Sequence, residues 1–367
     1  MRLAILGTRG VPARYGGFET LAEELSARLA ARGHDVTVYT RTRYAEPGVE
    51  RWRGARVRVL PTIPSKYMDT VAHGVVSGID AAFERYDAVL VCNAINAASS
   101  FLPRLASRTR VVLNVDGLER QRRKWSRVGR AAYRISEWLS TKLPDAVVSD
   151  ARVIEQYYRE RYGFPTVFIP YGGDLPRPAG TGALDRLGLA PEKYALYVSR
   201  LEPENNALEV VRAWRAVPGS TPLVVVGDAP YAKAYIAAVR AAADPRVLFP
   251  GAIYGEGYRE LLAHAAVYIQ ATEVGGTHPA LVEALGYGRV VCYHQSPENE
   301  EVAGGAGLAF DIRRPESLSG ILAGVLDDPA GHSVWKERAG ARTKERYRWD
   351  DVTDRYEATL EGRPIIS

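Results

Sequence analysis

The chain has 367 residues, 46% of them apolar and 25% charged, with a formal net charge of +5. This length suits two ordinary domains, and the composition is that of globular protein. No run of 18 apolar residues is present, which excludes a transmembrane helix of ordinary length. The first residues already read as a strand, so no secretory signal is expected. Cys92 and Cys292 lie in the apolar runs VLVCN and VVCYH and are expected to be reduced core thiols of a cytoplasmic protein.

In chain order, RLAILGT from Arg2 reads as a strand, then a Gly-rich turn leads to a helical pattern. Phe18, Leu21, Ala22, Leu25 and Leu29 share one helical face, and Gly33 stands where that helix should stop. DVTVYT, VRVLP, DAVLVCN, RVVLNVD and DAVVSD follow as short strands, and FPTVFIPYGGD closes this first set. PRPAGTGALDRLGLAPEK, Pro176 to Lys193, is rich in Pro and Gly and reads as a linker. ALYVSR, PLVVVGD, RVLFPG, VYIQAT and VVCYH repeat the plan, with LAFDI as a last strand. Strands alternating with helices predict two doubly wound parallel α/β sheets. The expected domains are 1–178, 179–345 and a terminal segment 346–367, whose helix sets Trp349, Val352, Tyr356 and Leu360 on one face. Ligands of such sheets bind beyond the carboxyl ends of strands, with a cleft between the two.

Three clusters lie at predicted strand ends. The first is GTRGVPARYGGFET, Gly7 to Thr20. Gly16 and Gly17 let backbone approach a ligand closely, the following helix start offers N–H groups to an anion, and Arg9 and Arg14 add positive charge. An ordinary strand-to-helix turn has the same look. The spacing matches neither G-x-G-x-x-G nor a P-loop, which counts against a dehydrogenase and an NTPase. The second cluster is VSRLEPENN, where Arg200 can grip a diphosphate bidentately or pair with Glu202 or Glu204. The third is TEVGGTHPALVEALGYG, Thr272 to Gly288. Gly275 and Gly276 lead into Thr277, His278 and Pro279, the pattern of a capped helix start. Glu283, one to two turns in, reads either as a ribose-binding carboxylate or as a helix-surface residue.

Arg120, Arg122, Arg123, Lys124, Arg127, Arg130 and Arg134 fall within fifteen residues. A solvated helix face and an attraction to phosphates or an anionic membrane explain this run about equally. Only Trp125 and Tyr133 interleave with it, so nucleic acid is not an expected partner. The six histidines, at 34, 73, 264, 278, 294 and 332, show no metal-ligand spacing, and no Asp-x-Asp pair occurs. Neither a metal nor a cofactor is expected, and no G-x-S-x-G nucleophile elbow is present.

Taken together, the RLEPE cluster, the Gly-rich loop before the helix carrying Glu283, the IPYGGD stretch and the Trp-bearing terminal helix resemble the retaining glycosyltransferases of family 4. LGTRGVPARYGGFET, PTIPSK with Asp69-Thr70, VCNAINA, NVDGLE and Lys124-Trp125 are similar to a subgroup that includes bacterial rhamnosyltransferases of surface-polysaccharide assembly. The resemblance implies the GT-B fold, with a terminal helix packing back on the first domain. It implies metal-independent transfer from a nucleotide sugar, with dTDP-L-rhamnose the best candidate donor, to a glycan or lipid-linked acceptor. Peripheral contact with the inner membrane is part of this expectation. It places Gly16 and Gly17 at the donor phosphates and acceptor, Arg200 at the diphosphate, Glu283 at the ribose and Asp116 near the transferred sugar. Two positions depart from the family. Asn205 stands where relatives have a diphosphate-binding lysine, and Gly275 stands where they have the first of two paired glutamates. Arg9 and Arg14 are the candidates to replace the missing charge, and Gly275 would leave a small space for a differently shaped deoxysugar ring. Three other readings stay open: a UDP-glucose-type transferase, a sugar-nucleotide epimerase and a non-catalytic nucleotide-sugar binder.

Overall fold

A computed structural model describes residues 1–65, 68–122 and 125–364. The chain divides into two compact units, 1–171 with 349–367, and 172–348.

Unit 1 opens with β1 (Arg2–Leu6), α1 (Gly17–Ala31) and β2 (Asp35–Arg41). It continues through β3 (Arg51–Trp52), β4 (Ala55–Leu60), α2 (Asp69–Glu84), β5 (Ala88–Cys92) and β6 (Arg110–Asn114). Then come α3 (Arg127–Ser140), β7 (Ala146–Ser149), α4 (Arg152–Tyr162) and β8 (Val167–Phe168). The sheet order is β3-β4-β2-β1-β5-β6-β7-β8. All pairings are parallel except the edge hairpin β3–β4, which sequence reading missed. Its turn is Arg53-Gly54, both at positive φ (46° and 93°), the left-handed pair that a two-residue hairpin demands. All five residues of β5 are buried, as a central parallel strand covered on both faces requires. On α1, Leu21, Ala22, Leu25 and Leu29 are at most 1% exposed, and Gly33 follows the helix at φ 89°, as a helix stop favours.

Unit 2 comprises α5 (Gly182–Leu187), β9 (Ala195–Val198), α6 (Ala207–Trp214), β10 (Leu223–Val226) and α7 (Lys233–Ala242). It runs on through β11 (Val247–Gly251), α8 (Gly255–Ala263), β12 (Val267–Gln270), α9 (Pro279–Gly286) and β13 (Val290–His294). α10 (Pro297–Ala303), β14 (Leu308–Phe310), α11 (Pro315–Asp327) and α12 (Ser333–Arg346) complete it. Its parallel sheet has the order β11-β10-β9-β12-β13-β14. The expected linker is not a bare connector. It contains α5, whose Ala183 and Leu184 are 1% and 0% exposed within the unit 2 core, so apolar burial outweighs the local Pro and Gly signal.

The last helix, α13 (Trp349–Glu361), returns to unit 1 and packs on α1, β5 and β6. Trp349, Val352, Tyr356 and Leu360 are all buried, as their spacing predicts. Arg32 reaches Asp354 and Glu357 at 2.6 Å each, and Arg110 Nε donates to the Thr359 carbonyl at 2.9 Å. Cys92 and Cys292 are buried free thiols.

Candidate functional site

In an open α/β sheet the crevice forms where the chain winds away on both sides of one strand. In unit 2 that strand is β9, flanked by β10 and β12. Its carboxyl end runs into Arg200, and the carboxyl end of β12 runs into the Gly275–His278 loop and α9. Two bonds tie these segments together: Glu273 N–H donates to the Glu204 carbonyl at 3.0 Å, and Asn206 Nδ2 donates to the Ala271 carbonyl at 2.8 Å. Arg200 is partly exposed, and Glu202 lies 3.7 Å from its guanidinium.

Asn205 does not take the place of an outward lysine. It is 3% exposed, and its amide donates to the Arg200 carbonyl at 2.5 Å. The Tyr197 hydroxyl donates to the Asn205 carbonyl at 2.5 Å. Asn205 therefore fixes the turn that presents Arg200.

At the third cluster Pro279 stands at the first turn of α9 and His278 is the cap position, but no side chain caps the helix. Gly276 and Thr277 are buried. A Cβ on Gly275 would lie 2.5 Å from His278 Cε1. The expected empty space beside Gly275 is thus filled by the His278 imidazole, and a larger residue at 275 is incompatible with this placement of the ring. Glu283 is 2% exposed, which removes the helix-surface reading, and the Tyr258 hydroxyl of α8 donates to its carboxylate. Close backbone contact holds α9 from behind, since a Cβ on Gly286 would meet the Gly173 carbonyl oxygen at 1.9 Å. Tyr258 was not legible in sequence, because a partner 25 residues away leaves no local pattern.

In unit 1 the corresponding crevice lies at β1, between β2 and β5. The Gly7–Gly17 loop is more tightly fastened than an open anion cradle. Glu19 and Glu23 of α1 accept from the Arg9 and Ala13 N–H groups at 2.8 and 2.6 Å. Glu19 Oε2 also comes within 3.6 Å of a Cβ built on Gly16, so this helix start already carries a carboxylate, which opposes a second anion. Beneath the loop the buried Arg41 bonds the Thr8 carbonyl at 3.0 Å and Asp69 at 2.6 Å. Arg14 pairs with Glu46 at 2.9 Å, so it is not a spare charge. Arg9 differs: its guanidinium stacks on Tyr15 and lies 4.8 Å from the centre of the Tyr44 ring. Among the described residues no carboxylate pairs with it, and Nη1 is buried without a partner.

Asp116 stands two residues past β6, in the left-handed region at φ 57°. Asn114 Oδ1 accepts its N–H at 2.9 Å, and Asn114 Nδ2 donates to the Tyr356 hydroxyl at 2.6 Å. The register pairs Asn114 with Val148, so two residues further on each strand reach Asp116 and Asp150 together. Burial first, and the Glu119 charge second, raise the Asp116 pKa, against hydrogen bonds from Gly117 and Asp150 and the charge of Arg122. Asp150 is fully buried. Sequence reading missed it, although NVD and VSD end neighbouring strands alike.

The basic run is not one surface. Arg120 bonds Glu137 at 3.1 Å and Tyr157 at 3.0 Å, and Arg122 is 7% exposed against Glu119. Arg127, Arg130 and Arg134 are exposed on α3. Arg123, Lys124 and the Lys66 of PTIPSK lie outside the described residues. Among the described residues His34, Glu357 and Glu361 are close enough together to share an ion, but Arg32 and His34 already hold Glu357 at 2.6 Å each. No helix among the described residues is long and apolar enough to cross a membrane.

Comparison with known proteins agrees with this architecture. The family model Glycosyltransferase Family 4 matches residues 15–177, and Glycosyl transferases group 1 matches 192–328. The O-antigen chain mannosyltransferase B of Escherichia coli is 24% identical over 176 residues, and the match spans about half of that relative, 46% of each chain. Sucrose-phosphate synthase from Thermosynechococcus elongatus superposes with a TM-score of 0.81 at 18% identity, over 99% of this chain and 98% of that one. HepE of Anabaena, solved with UDP-glucose, gives 0.80 at 17% identity over 99% and 100%. Two glycosyltransferase family models thus match successive parts of the chain, and its two parallel-sheet domains have the GT-B architecture.

Proposed function

We propose that the chain transfers a sugar from a nucleoside diphosphate donor to a saccharide or lipid-linked acceptor, with retention at the transferred carbon. One observation carries this reading: the strand ends flanking the crevice of unit 2 bring Arg200, the Gly275–His278 loop and the start of α9 together, with Glu283 buried behind them. Arg200 and the α9 N–H groups supply fixed positive poles where charge develops on the departing phosphate. Glu283, steadied by Tyr258, faces the ribose hydroxyls. In unit 1 the resemblance assigns Gly16 and Gly17 to the donor, and Arg9 stands there stacked on Tyr15. Asp116 sits near the transferred sugar. Retention needs no protein nucleophile and no metal. The leaving phosphate oxygen takes the acceptor hydroxyl proton as the new bond forms on the same face of an oxocarbenium-like sugar.

The donor we favour is dTDP-L-rhamnose. In the related enzymes a carboxylate at position 275 reads hexose hydroxyls, and here His278 occupies that place. A site that reads a hydroxyl rejects analogues lacking it by about 10⁴-fold or more. Replacing that reader relaxes the demand and leaves the imidazole and the N–H groups of Gly275, Gly276 and Thr277 to meet a deoxysugar. Turnover of a donor panel tests this choice, and much faster use of UDP-glucose than of dTDP-rhamnose refutes it. The transferase reading itself is tested at Arg200. Arg200→Ala should cost about 2–5 kcal/mol of nucleotide affinity, and an unchanged Kd by titration removes Arg200 from the site. Nucleotide release that does not depend on acceptor would point to epimerisation or hydrolysis instead.

A further inference from the structure

The exposed residues of α2 are Val75 (38%), Val76 (37%), Ile79 (42%) and Phe83 (76%), and all four are apolar. At 100° per residue they form a single stripe. The helix cannot turn to bury it. On the other side a Cβ on Gly78 would meet Leu102 at 3.0 Å and one on Gly74 would meet Asn96 at 2.4 Å, so the packed face is set by glycines. α3 packs on the 3-10 turn Ala94–Ser99 that also supports α2. Its inner face is Tyr133, Ser136, Glu137 and Ser140. Its outer face divides along its length. Val128 (80%), Ile135 (60%) and Trp138 (52%) lie on one side, and Arg127, Arg130 and Arg134 line the other.

No carboxylate is exposed on either helix. Asp69 and Glu137 are buried against Arg41 and Arg120, and Asp80 and Glu84 are half-buried against Arg58 and Arg2. Apolar area of this kind on a folded protein marks an interaction surface. A second copy of the chain is a poor partner for it. Twofold pairing would set arginines against arginines with no acid to relieve them. The face calls for a partner that is apolar within and anionic at its rim, and an interfacial helix with Trp and Phe on one side and Arg on the other meets that description in an acidic bilayer.

We propose that unit 1 docks on an anionic lipid surface through α3 and α2. Trp138, Ile135 and Phe83 enter the interface, and Arg127, Arg130 and Arg134 lie on lipid phosphates. The proposal deepens the acceptor side of the function above, but its test does not require that function.

Flotation with phosphatidylglycerol and with phosphatidylcholine vesicles, without nucleotide sugar, measures the docking. Binding is expected on the acidic vesicles only, and it should weaken with salt. Reversing Arg127, Arg130 and Arg134 to Glu should lower partitioning by about 100-fold or more. Trp138→Ser with Ile135→Ser should lower it by about tenfold or more, and so should Phe83→Ser. Thermal unfolding should barely move, since these side chains are exposed. Absent binding, equal binding to both lipids, or full binding by the triple reversal overturns the proposal. Full binding by Phe83→Ser removes α2 from the face. A solution dimer that Trp138→Ser dissociates, without any vesicle binding, assigns the face to a protein partner and overturns the proposal too. Failure of nucleotide binding while vesicle binding persists would sink the transferase reading and leave the docking intact.

Discussion

His73 is fully buried in α2, and its pKa is pulled down to about 4, first by loss of water and second by the charge of Arg41. A base whose pKa is depressed on folding adds stability at pH above its unfolded value, 6.5. That stability drains away as pH falls from 6.5 towards 4. The full shift corresponds to about 3 kcal/mol. The melting temperature of the wild type should therefore drop across this window by more than that of His73→Gln, and parallel pH profiles would discount the residue. Asp116 carries the opposite sign. Its raised pKa makes the ionised form costly, so the penalty is absent below the unfolded value, 3.8, grows as pH rises from there, and is complete once the folded pKa is passed. Asp116→Asn should lose transfer activity yet gain in melting temperature relative to wild type as pH is raised above 3.8. Equal melting curves at high pH would show that the carboxyl is not strained by its burial. Glu283→Gln retains a partner for the Tyr258 hydroxyl while removing the charge. Nucleotide affinity should weaken with little change in melting temperature, and wild-type affinity would exclude Glu283 from ribose binding.

Among the elements, α13 stands out because the Asn114 amide links it to Asp116. Tyr356→Phe keeps the ring and deletes only the acceptor for Asn114 Nδ2. A stability loss of about 1 kcal/mol is expected, together with a fall in kcat larger than any change in donor KM. Unchanged kcat would show that the Asp116 loop holds its shape without the helix. Much of this was legible in the sequence. Runs such as AVLVC, and the 3.6-residue spacing on α1 and α13, state burial directly, because periodicity is a local property. The helix α5 was hidden, because Ala183 and Leu184 become core only when unit 2 folds around them. The hairpin β3–β4 is two residues long on one side and too short to show alternation. At the site, Arg200, Glu283 and the glycine loop were readable as strand-end clusters. The tether of Asn205, the closure of the Gly7–Gly17 loop by Glu19 and Glu23, and the filling of the Gly275 space by His278 were not, because each depends on which way a side chain turns.

For the whole molecule, the chain passes from unit 1 to unit 2 after Tyr171 and back after Arg348. Unit 1 is therefore discontinuous, and its core includes Trp349 and Tyr356, which are 0% and 1% exposed. Loss of a buried Trp alone typically costs about 3–5 kcal/mol, a large part of a domain's stability. A chain ending at Arg348 should unfold in urea in two steps, with unit 1 going first at low denaturant. One transition at the full-length midpoint would show that α13 adds little.

This discontinuity sets an order of events on the ribosome. Every residue of unit 2 must be made before the segment that closes unit 1 is available. At 5–20 residues per second, that delay is roughly 10–35 s. Through this interval the groove awaiting Trp349 and Tyr356 stands open on a nascent domain, a target for chaperones and an invitation to aggregation. Unit 2, contiguous in sequence, has no such wait. The demand on the cell's folding machinery thus falls on the half of the protein that is made first.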